Sequence, residues 1–497
     1  MSMDALKVLM LTWEYPPRII GGIASHVYDL SCALVRQGMD VHVVTCGFPD
    51  ALPYEVVEGV HVHRFDSYQI PAFDFLSWVF SMNVDMAKRA AGVVEVNEEP
   101  FDLIHAHDWL VARAALELKN KYGKPLVSTI HSTEVGRRNG IHNGYQRTIH
   151  NVESQLVHQS DRLICCSRFM AEQISQTFGV PMTKLDIIHN GVDASKFNIK
   201  ANIQKAKEKY APKGEQLILY VGRLVHEKGV HVLIGAMPKV LSKMPNVRLI
   251  IVGEGGMKES LKREAQELGV SDKVLFAGFI DDETLRLLYK ISDVAVFPSL
   301  YEPFGIVALE AMAARLPVVV SDVGGLAEIV KHNETGVKVY PDNSDSLSWG
   351  VLKVLMNPKY ADILRRNAYN VVISSNDWDS LAEKTAETYA KILPQEPREP
   401  LVVSAVPRLK SKIFWPEQLL TEYGLLLVLY ALGIVTEDSS KTLREIAKLC
   451  GASRKTISAL LGKLIENGFV IEYRDAAGKL RYYLTKTGIV RSCSVFT

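Results

Sequence analysis

The sequence predicts an α/β protein: two doubly wound parallel-sheet domains in tandem, followed by a small basic helical domain. Three observations carry that reading. Short apolar runs alternate with longer amphipathic stretches, the alternation starts again after about residue 200, and a Pro-rich break at 394–400 precedes a change to basic, helix-rich composition. A chain of 497 residues is also too long for one domain of about 150 residues.

In chain order, the runs 7–11, 41–45, 103–105, 126–131 and 163–166 are apolar throughout rather than at every second residue. That is the pattern of parallel strands covered by helices on both faces. A second set, 217–221, 247–252, 274–276, 294–297 and 317–321, is again separated by helical stretches such as 256–268. The Lys-rich, weakly apolar stretch 201–214 lies between the sets, which predicts domains over 1–200 and 201–393 with a hinge and a ligand cleft between them. Pro394, Pro397 and Pro400 lack backbone donors and fix φ, so the preceding helix cannot continue. Residues 394–400 are read as a linker and 401–497 as a separate domain.

Composition excludes several classes. Hydrophobic residues at 47% and charged residues at 23% are those of a globular chain rather than a disordered or collagen-like one. A net charge of +1 gives no global case for a polyanion partner. The charge is uneven, however: residues 401–497 hold fourteen Lys or Arg against eight Asp or Glu. Six cysteines, at 32, 46, 165, 166, 450 and 493, show neither metal-ligand spacing nor secreted disulfide density. The N-terminus lacks a signal-peptide pattern, and the most apolar run, 424–435, is shorter than the ~20 residues of a membrane span. A cytoplasmic protein is expected.

Three loops carry candidate chemistry. After the first strand, Gly21 and Gly22 precede a helix; such a turn lets backbone N–H groups approach a phosphate, or is simply a tight turn. After the strand 217–221, Arg223 and Lys228 can neutralise a diphosphate, the alternative being a solvated basic loop. Further on, Glu302 and Glu310 are eight residues apart, near one face of a helix whose first turn Pro303 can occupy. Glu310 lies in an apolar run where a carboxylate needs a partner, either a ligand or a salt bridge to Arg315.

Glu302-Pro303-Phe304-Gly305 through Glu310, with Gly222-Arg223 and Lys228-Gly229 before it, resembles the E-x7-E donor site of retaining glycosyltransferases of the GT-B fold, which pairs two Rossmann-like domains. The resemblance spans roughly residues 5–392 and includes 323–328 and 188–193. Within that family, Trp13-Glu14-Tyr15-Pro16-Pro17 with Gly21-Gly22, His105-Ala106-His107-Asp108-Trp109 and His131-Ser132-Thr133-Glu134 look most like bacterial and archaeal glycogen synthases. Domain 1–200 is then the acceptor side and 201–393 the nucleotide-sugar side.

The resemblance implies roles. Arg223 and Lys228 would bind the nucleotide diphosphate with the Gly21–Gly22 turn, Glu310 the ribose hydroxyls, and Glu302 with Phe304 and Gly305 the transferred hexose. Asn190 would join the donor site. His131 would sit beside the anomeric carbon; its alternative is a histidine that merely closes its strand. Asp108 and Trp109 would meet acceptor sugars, with a packed Trp as the alternative. Arg18-Ile19-Ile20-Gly21-Gly22-Ile23 lacks the Lys of the Lys-x-Gly-Gly-Leu loop found in the other main type of bacterial glycogen synthase. The E-x7-E group also contains mannosyl and other hexosyl transferases.

Metal use is not expected. His61/His63 and His105/His107 alternate on strands, but each pair lacks an obvious third ligand. Asp377-Trp378-Asp379 opens a helix, where acidic residues need no metal.

In the last domain, two apolar-faced helices meet at Gly451, Ser453 can cap the second, and Arg454, Lys455 and Ser458 are its first exposed residues. This is helix-turn-helix spacing. The following strands around a turn at Gly478 look like the wing of a winged-helix DNA-binding domain, with Arg474, Lys479 and Arg481 toward a phosphate backbone. A dimerisation or regulatory module is the alternative. The combined expectation is a metal-independent hexosyltransferase moving glucose from ADP- or UDP-glucose to an α-glucan. The rivals are a mannosyl or hexosyl transferase for a lipid or surface glycan, and a sugar-responsive DNA-binding regulator.

Overall fold

The computed structural model describes residues 6–67, 74–96, 101–200, 202–393, 422–431, 434, 437, 439–450, 452–475 and 477–489. The expected linker at 394–400 and the turn residue Gly451 lie outside them.

The first sheet contains β1 (Lys7–Leu11), β2 (Asp40–Cys46), β3 (Tyr54–Val57), β4 (Val60–Phe65), β5 (Leu103–His107), β6 (Leu126–Ile130), β7 (Arg162–Cys165) and β8 (Leu185–Ile187). Their order is β3-β4-β2-β1-β5-β6-β7-β8, with β1 parallel to both β2 and β5 and β3 antiparallel to β4 at the edge. Central strands are buried along their length, as in β1, where Val8 to Leu11 are at most 1% exposed. Their unbroken apolar character follows from helices covering both faces.

The second sheet is wholly parallel. It contains β9 (Gln216–Val221), β10 (Val247–Val252), β11 (Val274–Gly278), β12 (Val294–Phe297), β13 (Val318–Ser321) and β14 (Val337–Val339), in the order β11-β10-β9-β12-β13-β14. Its core packs Ile218, Leu249, Ile251 and Val296 against Leu233, Ile234, Met237 and Val351 of the covering helices. Both sheets are the doubly wound α/β architecture expected from the alternating runs.

Local sequence sets the element ends. Ser167 Oγ accepts from Met170 N (3.1 Å) at the start of helix Arg168–Phe178, and Gly179 closes it in the left-handed region, which glycine enters without a Cβ clash. Asp377 Oδ2 accepts from Ser380 N at 3.1 Å as the chain enters helix Trp378–Ala390, the capping role that acidic residues play at helix starts.

By contact the chain divides into two units: Met1–Thr129 with Asn151–Leu163 and Glu387–Thr497, and Ile130–His150 with Ile164–Ala386. The first unit also holds helices Leu443–Cys450 and Arg454–Glu466, then the antiparallel pair β15 (Val470–Arg474) and β16 (Leu480–Leu484). Glu445 Oε2 accepts from Thr442 N at 2.8 Å, one half of a capping box. The five described cysteines are buried and form no disulfide among the described residues. No helix among the described residues is long and apolar enough to cross a membrane.

Candidate active site

In the second unit, β9 ends in a loop that carries Arg223 and Lys228, with Lys228 in a single helical turn, His226–Lys228. Gly229 follows with φ +65°, and a Cβ there would sit 2.0 Å from the carbonyl oxygen of Pro298. The loop is thereby pressed onto the segment after β12. There Lys228 Nζ donates to Glu302 Oε2 at 2.7 Å, and Ser299 Oγ donates to the same oxygen at 3.0 Å. Glu302 is buried, and two donors converge on one side of its carboxylate.

Arg223 lies in the same neighbourhood. Its guanidinium is 3.8 Å from Glu227, while its buried Nη1 has no hydrogen-bond partner. Burial pushes the Arg223 pKa down and nearby Arg137 adds to that, whereas Glu227 and Glu302 support the charge. A buried guanidinium with an unused N–H donor is suited to an anionic oxygen.

The expected helix start at Pro303 does not hold. Glu302 and Pro303 are not on the helix: it runs Ile306–Ala313, and Gly305 precedes it with φ +103°. That left-handed glycine breaks the helix two residues after Pro303. Glu302 therefore sits on a loop and Glu310 in the helix, where it accepts from Tyr289 Oη at 2.9 Å. Burial pushes the Tyr289 pKa up, with Glu310 adding to it, so the phenol remains a donor. Arg315, the alternative partner for Glu310, lies 4.0 Å over the Tyr369 ring.

The Glu302 loop is fixed from behind. Its backbone carbonyl accepts from Gly325 N at 2.9 Å, and Cβ atoms at Gly324 and Gly325 would lie 2.1 Å from Glu302 O and 2.3 Å from Phe304 Cα. Close approach requires both glycines. In the same loop, Ser167 Oγ donates to Pro303 O at 2.6 Å. Glu328, in the helix begun by those glycines, accepts from Arg168 N (3.0 Å) and Phe169 N (2.7 Å). Phe304 is buried, with His189 tilted against it at 5.7 Å. Asn190 is buried too, its carbonyl accepting from Asn376 Nδ2 at 3.0 Å.

His131, half-buried just past β6, leads into the short helix Glu134–Arg138, capped by Thr133. Thr133 Oγ1 and Tyr301 Oη both donate to Gln173 Oε1, at 2.9 and 2.8 Å, and Tyr301 covers Gly136 so closely that no Cβ fits. Arg137 pairs with Glu134 at 3.1 Å and bonds Ser132 Oγ. Sequence reasoning named none of Arg137, Tyr289, Ser299, Tyr301, Glu227 and Glu328 as site-forming. The one local signal was Glu134-x-x-Arg137, a one-turn ion-pair spacing.

The remaining predicted residues belong to the first unit. Glu14 Oε2 accepts from Ile20 N at 2.6 Å and Gly21 N at 2.8 Å, so the Gly21 N–H is not free for a ligand. Gly22, the first residue of helix Gly22–Arg36, keeps a helix-end N–H. Arg18 is fully buried over the Trp13 and Trp78 rings, at 5.3 and 5.9 Å. Asp108 has φ +67°, and its carboxylate accepts from Trp109 N at 3.1 Å. Trp109 is 3% exposed, a packed residue that presents no open ring face. His105 is a core residue as well: its ring nitrogens meet Tyr389 Oη at 2.8 Å and Thr129 Oγ1 at 2.7 Å.

In the C-terminal segment Arg454, Lys455, Ser458 and Lys479 are exposed. Arg481 is not a free cation: its guanidinium bonds Asp475 at 2.7 Å and Ser440 O at 3.0 Å, which fixes the hairpin.

Comparison with known proteins agrees with the two-domain α/β fold. The profile of the "Glycosyl transferases group 1" family matches residues 202–371, and that of "Glycosyltransferase Family 4" matches 20–196. An uncharacterized glycosyltransferase of Methanocaldococcus jannaschii is 42% identical over 77% of this chain and 98% of its own length. The glycogen synthase of Mycobacterium tuberculosis is 38% identical over 81% of this chain and all of its own. Among solved structures, sucrose-phosphate synthase from Thermosynechococcus elongatus shares 25% identity with a TM-score of 0.66, covering 78% of this chain and 98% of that one.

Proposed function

The chain belongs to the group 1 glycosyltransferases, and from that premise we propose that it is a retaining glucosyltransferase, moving glucose from ADP- or UDP-glucose to an α-glucan. The observation that carries the donor half is the Lys228–Glu302 pair beside Arg223 with its unused buried donor. The likeness to a glycogen synthase along its full length supports the acceptor half.

In this reading the diphosphate is met by Arg223 and Lys228, fixed cations that stabilise the charge developing on the departing nucleotide. Lys228 then shares its ammonium between phosphate and Glu302, and the unoccupied side of Glu302 accepts hexose hydroxyls. Glu310, steadied by Tyr289, accepts from the ribose. The bond from the anomeric carbon to the diphosphate breaks as the acceptor oxygen bonds the same face, and the acceptor proton passes to the departing phosphate oxygen. Two cationic side chains supply the countercharge, so the reading assigns no metal to the transfer. Replacing Glu302 by Ala tests it: glucan-dependent nucleotide release should fall by about 10²-fold or more with the melting temperature retained. Undiminished release rejects the assignment.

A second reading concerns the C-terminal segment. We propose that helices Leu443–Cys450 and Arg454–Glu466 with the β15–β16 hairpin form a winged helix that meets duplex DNA. The exposed Arg454, Lys455, Ser458 and Lys479 support it, while Arg481 positions the wing.

A further inference from the structure

At the first residues of β2 and β4, two histidines and a carboxylate converge. His42 and His61 are register partners on these adjacent parallel strands, and their rings stack with centroids 4.5 Å apart. Asp40 Oδ1 lies 3.2 Å from His42 Nε2 and 4.0 Å from His61 Nε2; the ligand atoms of all three lie within 4.8 Å of one another. Two atoms bound to one ion at about 2.0–2.2 Å each and at a tetrahedral angle sit about 3.3–3.6 Å apart, so the His42–Asp40 spacing fits as it stands and the His61–Asp40 spacing closes by about half an ångström. Of the His61-x-His63 pattern only His61 joins the cluster, and its two companions, Asp40 and His42, come from the neighbouring strand.

The outer contacts have the form a metal site takes. His42 Nδ1 meets His63 Nε2 at 3.0 Å, and His61 Nδ1 meets Tyr54 Oη at 2.8 Å. Ligating histidines bond their second ring nitrogen in this way, which fixes the tautomer and aims the other lone pair inward. In the tautomer with both Nδ1–H groups donating outward, two Nε2 lone pairs face the Asp40 carboxylate and can take a cation in place of the His42–Asp40 hydrogen bond. Phe101 stands edge-on to His42 at 5.1 Å, screening one side, while Asp40 and His61 remain about one-third exposed and give an ion a way in. Lys7 and Arg89 add positive charge nearby, which disfavours hard cations that rely on charge alone. Two imidazoles and one carboxylate suit a borderline transition ion.

We propose that Asp40, His42 and His61 bind one divalent ion of the zinc class, clamping β2 to β4, with solvent completing the shell. The site lies at the N-terminal ends of these strands and rests on no part of the transferase reading. The test uses the full chain, stripped with a chelator and titrated with Co²⁺ alone. Expected are one ion per chain with a visible four- or five-coordinate Co²⁺ spectrum, displacement by Zn²⁺, and at least tenfold weaker binding in Asp40→Asn and His61→Ala variants that keep the wild-type circular dichroism. Absence of the spectrum, or the same affinity in both variants, overturns the proposal. A measurement on the wild type needs no variant: Zn²⁺ should shield His61 from diethylpyrocarbonate, and unchanged His61 modification also overturns it.

Discussion

Lys228 Nζ and Glu302 Oε2 are 2.7 Å apart although their residues are separated by 74 positions in sequence. The loops after β9 and β12 are thereby locked together, and in the proposed reading an incoming diphosphate competes with Glu302 for this cation. Replacing Lys228 by Ala removes a preorganised donor and should lower kcat/KM for the nucleotide sugar by about 10²–10³. Circular dichroism should be unchanged, because Lys228 is only part-buried. Steady-state kinetics at several donor concentrations checks this, and a wild-type kcat/KM would contradict the role.

Gly324 holds φ +49°, and a Cβ there would meet Glu302 O at 2.1 Å. Backbone cannot yield as a flexible side chain does, so Gly324→Ala should destabilise the fold by about 1–3 kcal/mol. It should also displace Glu302, lowering activity by more than the stability loss explains. Urea unfolding read beside initial rates at a temperature where both proteins are folded makes the comparison.

His105 is fully buried, and burial pushes its pKa from 6.5 down to about 3. Between those values the unfolded chain binds a proton that the folded chain does not. Stability from this group is complete above pH 6.5 and is lost as pH falls toward 3, by up to about 1.4 kcal/mol per pH unit. Urea midpoints measured from pH 7.5 to 4.5 should fall less steeply in His105→Asn than in wild type. Parallel slopes would contradict the assignment.

Much of the architecture was legible because buried parallel strands such as β10 and β12 are apolar at nearly every position, a signal local to each segment. The edge strand β3 was not: its alternate residues are exposed, and only pairing with β4 makes it a strand. At the candidate site, Arg223, Lys228, Glu302 and Glu310 stand in a spacing that sequence carries. Ser299, Tyr289 and Arg137 join them through tertiary folding, which no spacing encodes. The helix start was misread because Pro303 favours a first turn, while the positive φ of Gly305 delays it to Ile306.

Exposure of Arg454 and Lys455 at the start of helix Arg454–Glu466 predicts salt-dependent binding to duplex DNA. The double replacement by Glu should weaken it at every salt concentration and flatten the slope of log affinity against log salt by about 2. Titration by fluorescence anisotropy at four salt concentrations reads both quantities. A wild-type protein without salt-dependent binding would leave a protein-interaction role for this segment.

The most direct measurement is nucleotide release by the purified protein from ADP-glucose, UDP-glucose and GDP-mannose, each with and without glycogen, followed by sizing of the glucan. Glycogen-dependent release from a glucose donor with chain growth is the predicted result. Release from GDP-mannose alone, or from no donor, would contradict the glucan synthase account.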